Sequence, residues 1–257
     1  MPRLDRDGVR IFYEEAGAGN PPMVFLHGWS CDHTYFAPQF DYYRGEHRVV
    51  SLDLRGHGHS DKPQQRYSIG EFAEDVYWLC RELGVGRPIV LGHSMGGNIS
   101  LELAARHPDE VSALVLVDSP VIPPPAILES LANFAAALNS ESFRDSARNF
   151  ASRLFLPIDD PEVKKRVLGG GISSLPQHVL ASSMEGLVEH DTIAAASSCK
   201  APVLYIGAQV TLADLDEFRS LCPQLMVGRA VGVGHFVQLI VPKQVNAMID
   251  RFLAVAL

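Results

Sequence analysis

The sequence predicts an α/β protein with a doubly wound, mainly parallel sheet and an inserted helical cap. Short apolar strands alternate with amphipathic helices in both outer parts of the chain, the order that a parallel sheet requires. Residues 121–198 show no strand pattern, and three prolines at 123–125 open a run of helical segments there. A G-x-S-x-G motif at 92–96 stands between a strand and a helix. We therefore predict a core domain of residues 1–120 and 199–257 and a cap of residues 121–198.

Length, composition and charge restrict the function classes. The chain has 257 residues, enough to bury a large core, and its net charge of −8 argues against a nucleic-acid partner. No apolar run reaches the ~18 residues of a membrane span, and the polar N-terminal residues lack the apolar core of a signal peptide. The four cysteines show no CxxC spacing, so we predict no metal, no cofactor and no disulfide framework. We expect a cytoplasmic monomer or homodimer that acts on a small molecule, without contacting a membrane.

Apolar patterning predicts five elements in the first part of the chain. The strands are expected at residues 9–14, 23–26 and 47–52, with the first at an edge of the sheet, and the helices at residues 33–43 and 68–83. The second helix has Ser68 as its predicted N-cap and Glu71 at the capping-box position.

The loop after the third strand, residues 53–63, mixes histidine and aspartate with glycine. This composition invites a metal site as one interpretation. The glycines and the closing proline favour a structured loop instead, in which we expect an ion pair between Asp53 and Arg55.

The remaining elements alternate regularly outside the predicted cap. Strands are expected at residues 88–91, 111–117, 202–206 and 225–231, and helices at residues 98–106, 213–221 and 242–256. Three glycines at 169–171 break the helical run of the cap.

The motif at residues 92–96 reads Gly-His-Ser-Met-Gly and predicts that Ser94 is a nucleophile. A nucleophilic serine at a strand-to-helix turn stands in a strained backbone, so the flanking positions must be small. The helix that follows directs its N–H groups and its dipole towards negative charge that develops on a substrate.

Two backbone N–H groups are needed to hold an oxyanion. One is predicted from Met95, the residue after the nucleophile. The other is predicted from Trp29, in the His-Gly-Trp that follows the strand at 23–26. Trp29, Ser94, Asp118 and His235 each lie just past a predicted strand, and the carboxyl ends of parallel strands are where α/β proteins place their sites.

These motifs, taken together and in this order, resemble the α/β-hydrolase fold family over essentially the whole chain. They are His-Gly-Trp at 27–29, the glycine-rich stretch at 53–60, the serine motif at 92–96 and Gly-His-Phe at 234–236. The resemblance implies that Ser94 is the nucleophile and His235 the base. Haloalkane dehalogenases and epoxide hydrolases of this fold carry aspartate at the nucleophile position, so the serine argues against both chemistries.

The chain departs from the family pattern at the acid. The usual aspartate after the strand at 202–206 is replaced by Val210. Asp118 is one candidate, because it ends the preceding strand. Asp214 is the alternative, although its position also suits a helix N-cap. We favour Asp118, because the acid needs a fixed position at a strand end to orient the imidazole.

The leading hypothesis is a serine hydrolase that cleaves a carboxylic ester or a lactone through a Ser-His-Asp triad and an acyl-enzyme. Rival hypotheses are a small-molecule receptor of the same fold, a C–C hydrolase, a perhydrolase and a thioesterase. The substrate pocket is expected to include His27, Cys31, His93, Phe134, Phe155 and Phe236.

Overall fold

A computed structural model describes residues 2–257 of the chain. Its strands are β1 Arg3–Arg6, β2 Val9–Ala16, β3 Met23–Leu26, β4 Val49–Leu52, β5 Ile89–His93, β6 Ala113–Val117, β7 Val203–Gly207 and β8 Leu225–Arg229. They form one eight-stranded sheet in the order β1-β2-β4-β3-β5-β6-β7-β8. The pairs β1–β2 and β2–β4 are antiparallel and all later pairs are parallel. The predicted fold class is confirmed.

Helices cover both faces of this sheet. They are α1 Ala37–Tyr43, α2 Ile69–Glu82, α3 Met95–Arg106, α4 Pro125–Ala137, α5 Phe143–Arg153, α6 Pro161–Gly169, α7 Gly171–Ser174, α8 Gln177–Val188, α9 Thr192–Ser198, α10 Leu215–Leu221, α11 Val237–Ile240 and α12 Pro242–Ala256. A 3₁₀ turn at His33–Phe36 precedes α1. In the described part of the chain, α4 to α9 all lie between β6 and β7. None of the helices in residues 2–257 has the length and apolar character needed to cross a bilayer.

The central strands are buried at every position because helices pack on both sides of them. Successive residues of a strand point to opposite faces. Val24 and Leu26 of β3 therefore enter the core layer under α2 and α3, while Met23 and Phe25 enter the layer under α1 and α12. This two-sided burial explains why the strands are continuous apolar runs in the sequence.

The strand expected at the edge, residues 9–14, is not at the edge, so this prediction is wrong. It is β2, and β1 covers its outer side through a hairpin whose two turn residues, Asp7 and Gly8, have φ of 54° and 84°. The Asp-Gly pair is the signal for this turn. β1 was not predicted, because its sequence Arg-Leu-Asp-Arg is mostly polar and lacks the apolar pattern of a strand.

The ion pair expected between Asp53 and Arg55 is also wrong. Arg55 points to α2, where its Nε lies 2.5 Å and its Nη2 2.6 Å from the two carboxylate oxygens of Asp75. Asp53 instead accepts hydrogen bonds from the backbone N–H groups of His33 and His59. The N-cap expected for α2 is present: the hydroxyl of Ser68 accepts from the N–H of Glu71 at 3.2 Å.

We expect Asp75→Asn to destabilise the protein by about 1.5–3 kcal/mol, because Asp75 is buried and its charge strengthens hydrogen bonds from both Arg55 and Arg6, while Glu71 remains as a second carboxylate partner of Arg55. Asp61→Asn is the matched control. Asp61 pairs with Arg10 at the surface, where an ion pair contributes about 0–1 kcal/mol. Urea unfolding of both variants measures the difference. Equal losses of unfolding free energy in the two variants would contradict a larger contribution from the buried ion pair.

Candidate active site

Ser94 stands in a strained turn between β5 and α3. Its φ of 53° and ψ of −120° lie outside the regions that ordinary residues favour. The turn requires glycine on both sides. A Cβ atom on Gly92 would lie 2.2 Å from the carbonyl oxygen of Gly96, and one on Gly96 would lie 2.2 Å from that of Leu26. The sequence thus forces the serine out of the sheet at its carboxyl end.

His235 is held by a buried carboxylate. Its Nδ1 lies 2.8 Å from Oδ2 of Asp118, and both side chains are buried. The other carboxylate oxygen accepts from the N–H of Ala208, just after β7, at 3.1 Å. Because Nδ1 donates its proton to the carboxylate, the neutral imidazole keeps its lone pair on Nε2.

Of the two candidate acids, Asp118 is the one that contacts His235. The carboxylate of Asp214 caps α10 and accepts from the N–H groups of Asp216 and Glu217 at 3.2 and 3.0 Å. Ser94 and His235 line the same cavity. Within residues 2–257 no hydrogen bond joins them, and in hydrolases such contacts often tighten only when substrate binds.

The loop after β3 is oriented by the side chain of His27. Its Nδ1 donates to the carbonyl oxygen of Gly28 at 2.8 Å, and its Nε2 accepts from the N–H of Leu54 at 3.0 Å. A trans peptide points its C=O and N–H in opposite directions. The bond to Gly28 therefore turns the N–H of Trp29 away from His27.

Two unused donors lie beside the serine. In residues 2–257 neither the backbone N–H of Trp29 nor that of Met95 donates a hydrogen bond. A Cβ atom on Gly28 would lie 3.2 Å from the Cβ of Ser94, so the Trp29 loop runs alongside the nucleophile. The indole of Trp29 is fixed separately, because its Nε1 donates to the carbonyl of Leu180 in α8 at 2.9 Å. Unoccupied backbone donors beside a serine are the kind of group that an oxyanion hole uses.

A narrow cavity opens onto Ser94 and His235. Most of its wall is apolar, and helices between β6 and β7 contribute part of that wall. The main apolar side chains are Trp29, Leu131, Phe150, Leu154, Met184 and Leu187. None of the residues that line it is a lysine, arginine, aspartate or glutamate. The cavity therefore suits an uncharged, apolar ligand.

Three of the six residues expected in the pocket, Cys31, His93 and Phe236, line this cavity. The other three, His27, Phe134 and Phe155, do not, and these expectations are corrected. His27 lies below the Gly28 loop with both ring nitrogens bonded.

The two phenylalanines form a layer behind the wall. Phe134 is stacked on Phe150, with centroids 3.9 Å apart and planes at 6°. Phe155 is stacked on Phe236 at 5.0 Å. Met184 and Leu187, on α8, also line the cavity and were not predicted from the sequence. Apolar spacing alone does not tell which side of a cap helix faces a ligand.

His93 links the turn that carries Ser94 to the main chain of His235. Its Nε2 lies 3.1 Å from the backbone carbonyl oxygen of His235, and a carbonyl can only accept, so Nε2 carries the proton. Burial pulls the pKa of His93 well below its ordinary value. The residue is thus a neutral donor that supports the main chain of His235.

Asp32, His33 and Asp53 each place a possible metal-binding atom within 4.8 Å of the others. Their hydrogen bonds favour a structural role. Asp53 accepts from the backbone and Nδ1 of His33 at 2.7 and 2.8 Å and from the N–H of His59 at 2.6 Å, and Asp32 accepts from the N–H of Thr34. Burial alone would raise the pKa of Asp53, but these hydrogen bonds hold it below its usual value. We interpret the group as a network that ties together two loops.

Comparison with known proteins gives three similarities. A family model described as alpha/beta hydrolase fold matches residues 21–240. Over 264 aligned residues, the chain is 29% identical to a 2-(acetamidomethylene)succinate hydrolase from Mesorhizobium japonicum, covering 98% of this chain and 94% of the relative. The third similarity is to solved structures.

Two of these structures superpose over nearly their full length. Est816, described as an N-acyl homoserine lactone degrading enzyme, has a TM-score of 0.88 at 26% identity and covers 98% of this chain and 100% of its own. A thermophilic esterase from Thermogutta terrifontis has a TM-score of 0.85 at 25% identity and covers 99% and 98%.

We expect acid to destabilise the protein through its buried histidines. Burial lowers the pKa of His27 and His93 from 6.5, and lowers the pKa of His57 to about 3. As the pH falls below 6.5, the unfolded chain takes up protons at these residues before the folded protein does. For His57, stability is full above pH 6.5 and is lost as the pH falls towards 3, by up to about 1.4 kcal/mol per pH unit.

Urea unfolding of the wild type and of His57→Gln between pH 7 and pH 5 measures this effect. The variant is expected to lose less stability per pH unit, whatever its stability at neutral pH. An unchanged slope would contradict the assignment of a depressed pKa to His57.

We expect Asp118→Asn to lower kcat by up to about 10⁴-fold, the size of the effect in serine proteases. An asparagine fixes the wrong tautomer of His235 and does not offset the charge of the imidazolium. Asp214→Asn is the matched control, because asparagine caps a helix as well as aspartate does. Ester turnover and melting temperature are measured for both. Loss of turnover in the Asp214 variant alone would place the acid after β7.

Proposed function

Because the chain belongs to the α/β-hydrolase fold family, we propose that it is a metal-independent serine hydrolase of uncharged carboxylic esters or lactones. One observation carries the proposal. A serine at a strained elbow shares an apolar cavity with His235, whose Nδ1 is bonded at 2.8 Å to the buried carboxylate of Asp118.

The reaction begins when Nε2 of His235 takes the proton from Oγ of Ser94, and Oγ attacks the carbonyl carbon. The N–H groups of Trp29 and Met95 stabilise the oxyanion. His235 then protonates the leaving oxygen, and an acyl-enzyme remains on Ser94. Water, deprotonated by His235, hydrolyses this ester and frees the serine. Asp118 offsets the positive charge that the imidazole carries in both steps.

The lining of the cavity favours an uncharged acyl group. A succinate derivative carries carboxylates, which need cationic partners when they leave water, and none of the lining residues is lysine or arginine. We therefore propose that this chain differs in substrate from its relative in Mesorhizobium japonicum. Likeness to an esterase and to a lactone-degrading enzyme supports the ester or lactone chemistry.

The same proposal includes a location and a division of the chain. All four cysteines are unpaired, which supports a reducing, cytoplasmic environment. The unbroken run of helices between β6 and β7 supports a cap of residues 121–198. The last of these helices, α9, packs on α3 of the core.

Replacing Ser94 by alanine is expected to lower ester turnover by roughly 10⁴- to 10⁶-fold. Ser100→Ala is the matched control, since this buried serine lies on the adjacent helix and its hydroxyl only bonds the carbonyl of Gly96. A fluorophosphonate probe should label the wild type and the control, but not the Ser94 variant. Turnover that survives in purified Ser94→Ala would overturn the proposal.

A pair of substrates tests the acyl preference. Butanoyl and succinyl esters of one phenol have acyl groups of equal length and differ in a terminal carboxylate. We expect a higher kcat/KM for the butanoyl ester, because the cavity offers no cation. Faster cleavage of the succinyl ester would contradict the assignment of substrate charge while leaving the serine chemistry intact.

A further inference from the structure

Asp159 is not part of the proposed Ser94-His235-Asp118 triad, but it contacts the loop that carries His235. Asp159 lies between α5 and α6 and is 8% exposed. Its carboxylate accepts from the N–H of Leu156 at 2.7 Å and, with its two oxygens at 3.1 and 3.2 Å, from the N–H of Gly234. Gly234 directly precedes His235 in the sequence.

The next peptide group is held by the same segment. The backbone N–H of His235 donates to the carbonyl oxygen of Leu154 at 2.9 Å. The two chains are in close contact here. A Cβ atom on Gly234 would lie 2.5 Å from that carbonyl oxygen and 2.6 Å from Oδ2 of Asp159. Residues 154–159 therefore hold two consecutive N–H groups of the base loop.

Burying a carboxylate costs free energy unless it is compensated. Within residues 2–257 Asp159 forms no ion pair, so backbone N–H groups alone compensate its charge. A charged acceptor makes stronger hydrogen bonds to N–H groups than a neutral one does. The charged carboxylate of Asp159 therefore holds the backbone N–H of Gly234, next to His235.

We propose that Asp159 is a positioning residue of the hydrolase, which fixes the His235 loop so that the imidazole stays on Asp118 and within reach of Ser94. The inference rests on the proposed function, because it gives His235 the role of base. Asp159 touches neither the reacting atoms nor the cavity, and acts only through the backbone of Gly234.

The adjacent residue provides a matched control. Asp160 is exposed, and its carboxylate caps α6 by accepting from the N–H of Glu162 at 2.8 Å. Asparagine also serves as an N-cap, so Asp160→Asn should behave as wild type. Asp159→Asn instead replaces one of the two oxygens that accept from the N–H of Gly234 by an amide NH₂ group, and it removes the charge.

The experiment measures kcat and KM for acetyl, butanoyl and octanoyl esters in both variants. For Asp159→Asn we expect kcat to fall by about 10- to 100-fold, by the same factor for every ester, with KM unchanged. A change in the shape of the cavity wall, which includes Leu154, would instead give losses that depend on acyl length. Such a dependence, or a kcat equal to that of Asp160→Asn, overturns the proposal.

Gly234→Ala changes the other partner of the same contact, and it provides a second test if Asp159→Asn does not fold. Its Cβ displaces the loop from Leu154 and Asp159, so the same uniform loss of kcat is expected. The double variant should be no worse than the poorer single variant, since both break one contact. Losses of kcat that add up in the double variant would contradict the positioning role of Asp159.

Ser94→Ala distinguishes this inference from the proposed function. If Ser94→Ala stays active, the proposed function is wrong. If Ser94→Ala is inactive and Asp159→Asn is unimpaired, only the positioning role of Asp159 is wrong.

Discussion

Parallel pairing of the central strands is the constraint on which the site depends. The pairing sets Leu26 beside Gly92, His93 beside Val117, and Val117 beside Ile206, so that β3, β5, β6 and β7 finish at one edge of the sheet. The Trp29 loop, Ser94 and Asp118, to which we assign the proposed catalytic roles, come directly after three of these strand ends. A shift in register at any one strand would move its functional group by more than 3 Å, beyond the reach of a hydrogen bond.

Side chains that bond the main chain hold this edge in place. His27 fixes the carbonyl of Gly28, Asp118 binds the N–H of Ala208 as well as the imidazole, and Asp159 binds the N–H of Gly234. Each of these groups is buried and satisfied from within the protein. Donors and acceptors are therefore oriented before a substrate arrives, which is the condition under which electrostatic stabilisation of a transition state is large.

The parts of the site that follow from local sequence were predictable. Glycines around Ser94 and the position of Asp118 at a strand end indicated their placement, and the last helix was predicted at its observed bounds, residues 242–256. Contacts made only by tertiary packing were not. Arg55 has several acidic residues near it in the sequence, and only the fold shows that it pairs with Asp75 and Glu71 and not with Asp53. Asp159 and Asp160 look alike in the sequence, yet one is buried against the base loop and the other is exposed.

The contacts from residues 154–159 to the loop that carries His235 bear on any exchange of the helical segment between β6 and β7. Replacing that whole segment would give a new cavity wall but would remove the acceptors for the N–H groups of Gly234 and His235. A chimaera that keeps these six residues with the core, and exchanges only the helices around them, preserves the support of the base. The segment between β6 and β7 therefore contributes both to the cavity wall and to the support of His235, so its two ends do not separate these two roles.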